Sequence, residues 1–76
     1  MIKASARRHG IADDDIEHAQ RNWLAQFELI DDAGRHLVLF VGPAWSGALI
    51  EIGVNDAGDV VHAMNARRQF LPRTAR

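Results

Sequence analysis

Gln26-Phe27-Glu28-Leu29-Ile30 and His36-Leu37-Val38-Leu39-Phe40-Val41 are two runs rich in aromatic and aliphatic residues, joined by Asp31-Asp32-Ala33-Gly34-Arg35. Runs of this composition, bounded by turn-forming residues, read as strands. Gly34 stands where a three-residue hairpin loop needs a left-handed residue. Pairing across that loop sets Phe27 opposite Leu39 and Leu29 opposite Leu37, and cross-strand partners share a face. Phe27, Leu29, Leu37, Leu39 and Val41 therefore form one side, expected to pack under helices. Gln26, Glu28, Ile30, His36, Val38 and Phe40 form the other.

Towards the C-terminus the same turn recurs as Asn55-Asp56-Ala57-Gly58-Asp59, joining a strand over 49–54 to one over 59–65. With the same loop, Val54 pairs with Val60 and Ile52 with His62. Ile50, Ile52, Val54, Val60 and Met64 then make an apolar side on which His62 is the one polar member. A slip of one residue would turn His62 to the opposite face. Between the hairpins, Gly42-Pro43-Ala44-Trp45-Ser46-Gly47 reads as a longer loop with Trp45 folded back as a lid on the core. After Asn65, Ala66-Arg67-Arg68-Gln69-Phe70-Leu71 reads as a short helical turn or an extended arm anchored by Phe70 and Leu71. Pro72 stops any helix there, and residues 73–76 are expected to fray.

Towards the N-terminus, residues 5–9 are expected to form a short helix closed by Gly10. A second helix starts with Ala12 as its N-cap. Asp13, Asp14 and Asp15 fill its first turn, where the positive end of the helix dipole favours carboxylates, and Ile11 can staple onto Ile16. Ile16, Ala19, Gln20 and Trp23 share the inward face, with Glu17, His18 and Arg21 towards water. The expected fold is α+β: two N-terminal helices packed on a four-stranded antiparallel meander, as one domain over residues 1–76.

The 76 residues, 47% apolar and 25% charged, suit one small globular domain with a thin core. The absence of cysteine excludes disulfides, thiolate zinc sites and cysteine nucleophiles, and fits a reducing compartment. No apolar run follows Lys3, Arg7 and Arg8, so neither a signal peptide nor a membrane span is expected, and the location expected is cytoplasmic. A net charge of −1 argues against indiscriminate nucleic-acid binding. The charge is unevenly spread: +3 over residues 1–12, −8 over residues 13–59 and +4 over residues 60–76. That pattern hints at nucleic acid or an acidic partner, or is ordinary surface charge.

No Gly-rich phosphate loop, metal-spaced histidine pair or serine nucleophile motif is present. The triple aspartate is capping chemistry first, because neighbouring helical side chains diverge and do not converge on one ion. No metal or cofactor is therefore expected. His9 at a helix end, His18 on a solvated face and His36 beside a turn read as structural. His62 is different, because it lies mid-strand shortly before Arg67 and Arg68. An imidazole that exchanges protons beside guanidinium groups that hold a phosphate suits metal-free RNA cleavage. One group removes the 2′-hydroxyl proton, another protonates the leaving oxygen, and arginine offsets the charge developing on phosphorus. The alternative is a satisfied core histidine.

Ala6-Arg7-Arg8-His9-Gly10-Ile11-Ala12-Asp13-Asp14-Asp15-Ile16-Glu17-His18-Ala19, Gly42-Pro43 through Ser46-Gly47, and Val60-Val61-His62-Ala63-Met64 followed by Ala66-Arg67-Arg68-Gln69-Phe70 resemble small bacterial toxins related to BrnT. The likeness covers most of the chain. It implies a RelE-like fold, ribonuclease activity that stops translation, and messenger RNA as substrate. It also implies a cognate antitoxin as partner, whose complex with the toxin represses its own operon. Carried onto this chain, the expected catalytic residues are His62, Arg67 and Arg68. Two other readings fit the same residues. One is a non-catalytic interaction module that is half of an autorepressing complex, suggested by the net acidity and the missing nucleophile. The other is a homodimer formed through an exposed edge strand.

Overall fold

The computed structural model describes residues 1–71, so the expected fraying of 73–76 and the stop at Pro72 lie outside the described residues. One α-helix, α1 (Asp13–Arg21), precedes four strands, β1 (Ala25–Ile30), β2 (His36–Pro43), β3 (Leu49–Asn55) and β4 (Val60–Asn65). The strands form a single antiparallel sheet in the order β1-β2-β3-β4. The meander is thus the expected one, but one of the two expected helices is not α-helical. Ala4–Arg7 is a 3₁₀ turn, with Ala6 N–H donating to the Lys3 carbonyl (3.0 Å) and only Ala6 buried. Four residues ahead of Gly10, whose φ is +77°, are too few to nucleate a longer helix.

The second helix begins where the capping argument puts it. Ala12 is the N-cap, extended at φ −66° and ψ 145°, and makes no side-chain bond. Two of the three aspartates have further partners: Asp13 pairs with Arg7 at 2.8 Å, and Asp15 accepts the backbone N–H of Trp45 at 2.9 Å. Trp45 is not a lid on the core. It is 66% exposed and lies across the His18 ring at 3.9 Å, while His18 Nδ1 contacts the Pro43 carbonyl at 2.7 Å. The Asp15 bond fixes the loop backbone so that the indole meets the helix flank, which leaves His18 less solvated than its helical position implies.

Both hairpin turns hold the same geometry, as their near-identical sequences demand. Asp31 accepts the N–H groups of Ala33 and Arg35 at 2.9 and 2.8 Å, and Asn55 accepts those of Ala57 and Asp59 at 3.0 and 2.9 Å. Gly34 and Gly58 take φ of +81° and +85°. In the first hairpin the register is the expected one. In the second, Val54 pairs with Val60 as expected, but the register then shifts at a bulge, pairing Gly53 with His62 and Ile52 with Ala63. Val61 is the extra residue, and its carbonyl accepts the Ser5 hydroxyl at 2.8 Å. This one-residue step turns His62 and Met64 away from Ile50 and Ile52.

The expected side for the helices is likewise reversed. Ala6, Ile16 and Ala19 pack on Ile50, Ile52, Val60 and Ala63, whereas Leu39 and Val41 lie on the opposite face with Phe27, Leu29 and Phe70. Gly42 decides the matter, because a Cβ there would collide with the backbone of Ala19 and Trp23, so α1 docks where β2 has no side chain. The far face is closed by Phe70, carried on a second 3₁₀ turn, Arg68–Phe70, and Leu71 stays 41% exposed. Of the two expected anchors only Phe70 is buried. At the β4 edge, residues 1–3 add a short parallel partner: Ile2 bridges Val60, Lys3 N–H donates to the Val60 carbonyl at 2.9 Å, and Val60 N–H to that of Met1 at 2.9 Å. No helix among the described residues is long and apolar enough to cross a membrane.

Candidate functional site

Glu51 sits in the middle of β3 on the face away from α1, and its side chain is wholly buried. An unpaired carboxylate in that position would be prohibitive, and both of its oxygens are occupied. Oε2 accepts from His62 Nε2 at 2.8 Å and from Arg67 Nη2 at 2.7 Å. Oε1 accepts the backbone N–H of Arg67 at 2.8 Å, and Arg67 Nε is shared between the two oxygens at 3.2 and 3.1 Å. Burial alone pushes the Glu51 carboxyl up, but the side-chain and backbone bonds from Arg67, and then the bond from His62, outweigh it and hold the group below the usual carboxylate range. Glu51 in turn raises Arg67 above its ordinary value.

Local structure explains why the two partners arrive. Gly53, two residues along β3 from Glu51, lies opposite His62. A Cβ at Gly53 would stand 3.1 Å from His62 Cβ, so the bare glycine gives the imidazole room to lean across to the carboxylate. Beyond β4, Ala66 N–H bonds the Leu49 carbonyl at 3.1 Å, and Arg67 is extended. Phe70 then folds back against Phe27, with ring centroids 5.3 Å apart, and the Arg67 guanidinium lies over the Phe70 ring at 5.1 Å. Arg67 is therefore gripped by a carboxylate on one side and an aromatic face on the other.

An ionised carboxylate only accepts hydrogen bonds, so the His62 proton lies on Nε2. Nδ1 has no partner among the described residues, and no buried side-chain nitrogen or oxygen there is left without one, so Nδ1 faces solvent. The side chain is 29% exposed. His9 approaches it edge-on, ring centroids 6.2 Å apart and planes at 78°. Both His62 and Arg67 open onto a concavity of about 870 Å³, together with Arg8 and Gln69, and Asp31 and Asp32 of the first turn also line it. Arg8 is exposed and has no acidic partner among the described residues.

Of the three expected catalytic residues, His62 and Arg67 meet and Arg68 does not: it is exposed and does not line the concavity. His36 bonds Asp56 at 2.7 Å, stands 3.6 Å from Glu28 and does not line the concavity. Sequence reasoning missed three contributors. Glu51 between Ile50 and Ile52 reads by alternation as an acid facing water, and only the fold shows that its face is covered. Arg8 and His9 stand in the run that resembles BrnT, but only the fold shows that the N-terminal turn ends beside β4. Comparison of the chain with protein-family models, curated proteins and solved structures returned no match.

Proposed function

We propose that the chain is a toxin-type endoribonuclease of the bacterial cytoplasm, cleaving RNA without a metal and neutralised by a cognate antitoxin. The supporting observation is that Glu51 fixes the tautomer of His62, aiming Nδ1 outward beside a second imidazole, His9. In this reading His62 Nδ1 takes the proton of an RNA 2′-hydroxyl, and the oxygen attacks the adjacent phosphorus. The bond to the 5′-oxygen breaks as protonated His9 supplies that oxygen with a proton. The products are a 2′,3′-cyclic phosphate and a 5′-hydroxyl. Arg8, with the solvent-side edge of Arg67, offsets charge on the phosphoryl oxygens. Incubation with an RNA oligonucleotide should release cyclic-phosphate ends, and His62→Ala or His9→Ala should each slow the release by about 10²-fold or more. His9→Ala is the cleaner variant because His9 is exposed. Induced expression should arrest bacterial growth, and both variants should relieve it. Intact RNA after incubation with micromolar folded protein would refute the reading.

The second reading is the non-catalytic module, half of an autorepressing complex. It is favoured by the full occupation of both Glu51 oxygens, which makes the trio a pin joining β3, β4 and the C-terminal turn. That module would form a tight heterodimer with its partner and leave RNA untouched.

A further inference from the structure

The sheet has two edges, and they are treated differently. The start of the β4 edge is bridged at Val60 by residues 1–3, whereas β1 has no neighbour on its outer side among the described residues. Glu28 side chain apart, little on β1 discourages pairing, since it contains no proline and no lysine. Leu24 and Ile30, at its two ends, are 61% and 68% exposed.

We propose that β1 is the pairing edge of a twofold homodimer of this chain, with Phe27 at the axis and Gln26 of each copy opposite Glu28 of the other. The register follows from the hydrogen-bond pattern. Asp31 N–H donates to the Arg35 carbonyl at 2.8 Å, so position 31 directs its backbone groups at β2. Alternation makes 29 and 27 do the same, and leaves the N–H and C=O groups of 26, 28 and 30 pointing away from the sheet. An antiparallel twofold pair must keep like faces together, which restricts the axis to a residue position. An axis at Glu28 sets two carboxylates directly opposite, which is unfavourable. An axis at Gln26 leaves Leu29 and Ile30 overhanging the pair.

An axis at Phe27 avoids both faults. Positions 26 and 28 then exchange four backbone hydrogen bonds between copies, and the Gln26 amide meets the Glu28 carboxylate twice. Ala25 falls opposite Leu29 of the second copy, and Ile30 comes beside its Leu24. Phe27 and Leu29 are half-buried and already extend the layer of Leu39, Val41 and Phe70 towards the edge. The dimer carries that layer across the junction as one eight-stranded sheet. Because a twofold pair uses the same edge of both copies, the pairing occupies β1 in each and closes as a dimer.

Sedimentation equilibrium of the full chain from about 1 μM to about 1 mM tests this, a range suited to a small interface. Monomer and dimer should both appear across it. Gln26→Lys, placing an ammonium opposite Glu28, should tighten the dimer, and Gln26→Glu should weaken it by about tenfold. Adding Glu28→Lys to Gln26→Glu should restore it. Gln26 and Glu28 are exposed, and circular dichroism should confirm that each variant is folded. A monomer throughout the range would overturn the proposal and leave the edge to a strand of another protein. So would a dimer whose dissociation constant is the same in Gln26→Lys and Gln26→Glu.

Discussion

Glu51 is the residue on which the far face of the sheet turns. Replacing it by glutamine keeps its shape but removes the charge that Arg67 and His62 share. Arg67 is 46% exposed and His62 29%, so both can turn to water, and the expected cost is about 2 kcal/mol, less than for stranding a fully buried charge. The folded carboxyl is held below its ordinary value, so its contribution is whole above the unfolded value of about 4.3 and is lost as pH falls through the folded one. Thermal melts should therefore show a gap between wild type and Glu51→Gln that is constant near neutrality and closes below about pH 4. His36 has the opposite sign. Asp56 first, and Glu28 after it, raise its value, so its contribution is whole below about 6.5 and is lost as pH rises through the raised value. Melts of His36→Gln should depart from wild type more at about pH 5.5 than at about pH 8.5. Gly53→Ala pushes on His62 Cβ, 3.1 Å from the added methyl, and should disturb the imidazole before it disturbs the fold. An NMR spectrum would show the His62 ring resonances moving with little change in melting temperature.

Helix and strands respond to changes that follow from how each was recognised. Ala12 already has the extended backbone of an N-cap without a side chain to exploit it. Ala12→Ser should stabilise the domain by about 0.5–2 kcal/mol in urea denaturation. Gly42→Ala should do the reverse, by about 3 kcal/mol, because the new methyl meets the helix backbone, which cannot rotate aside. The same elements show what was legible. Asp31 to Arg35 and Asn55 to Asp59 each contain the whole chemistry of their turn, so strand order and the register beside each turn could be read directly. The bulge at Val61 could not, because the carbonyl it exposes is satisfied by Ser5, far away in sequence. Without the bulge, strand alternation places His62 on the wrong face. Gly42 reads locally as a loop boundary, and its meaning as a docking seat for α1 depends on a helix whose position no local pattern reveals.

Across the whole molecule, the uneven charge acquires a direction. The basic ends, which stand apart in sequence, bring Arg8 and Arg67 to one concavity, whose lining also includes Asp31 and Asp32 of the acidic middle. Under the ribonuclease proposal, RNA bound there would meet two or three cations, not a broad basic surface. Its affinity should fall with salt at a logarithmic slope of about −2, measurable by fluorescence anisotropy. A steeper slope would place the binding surface elsewhere.

The alignment of Ile2 with Val60 also orders events during synthesis. A ribosome that has released only the first hairpin has produced neither the seat for the N-terminal segment nor the imidazole that faces His9. The two histidines stand on either side of three strands, so their encounter waits until β4 has been synthesised.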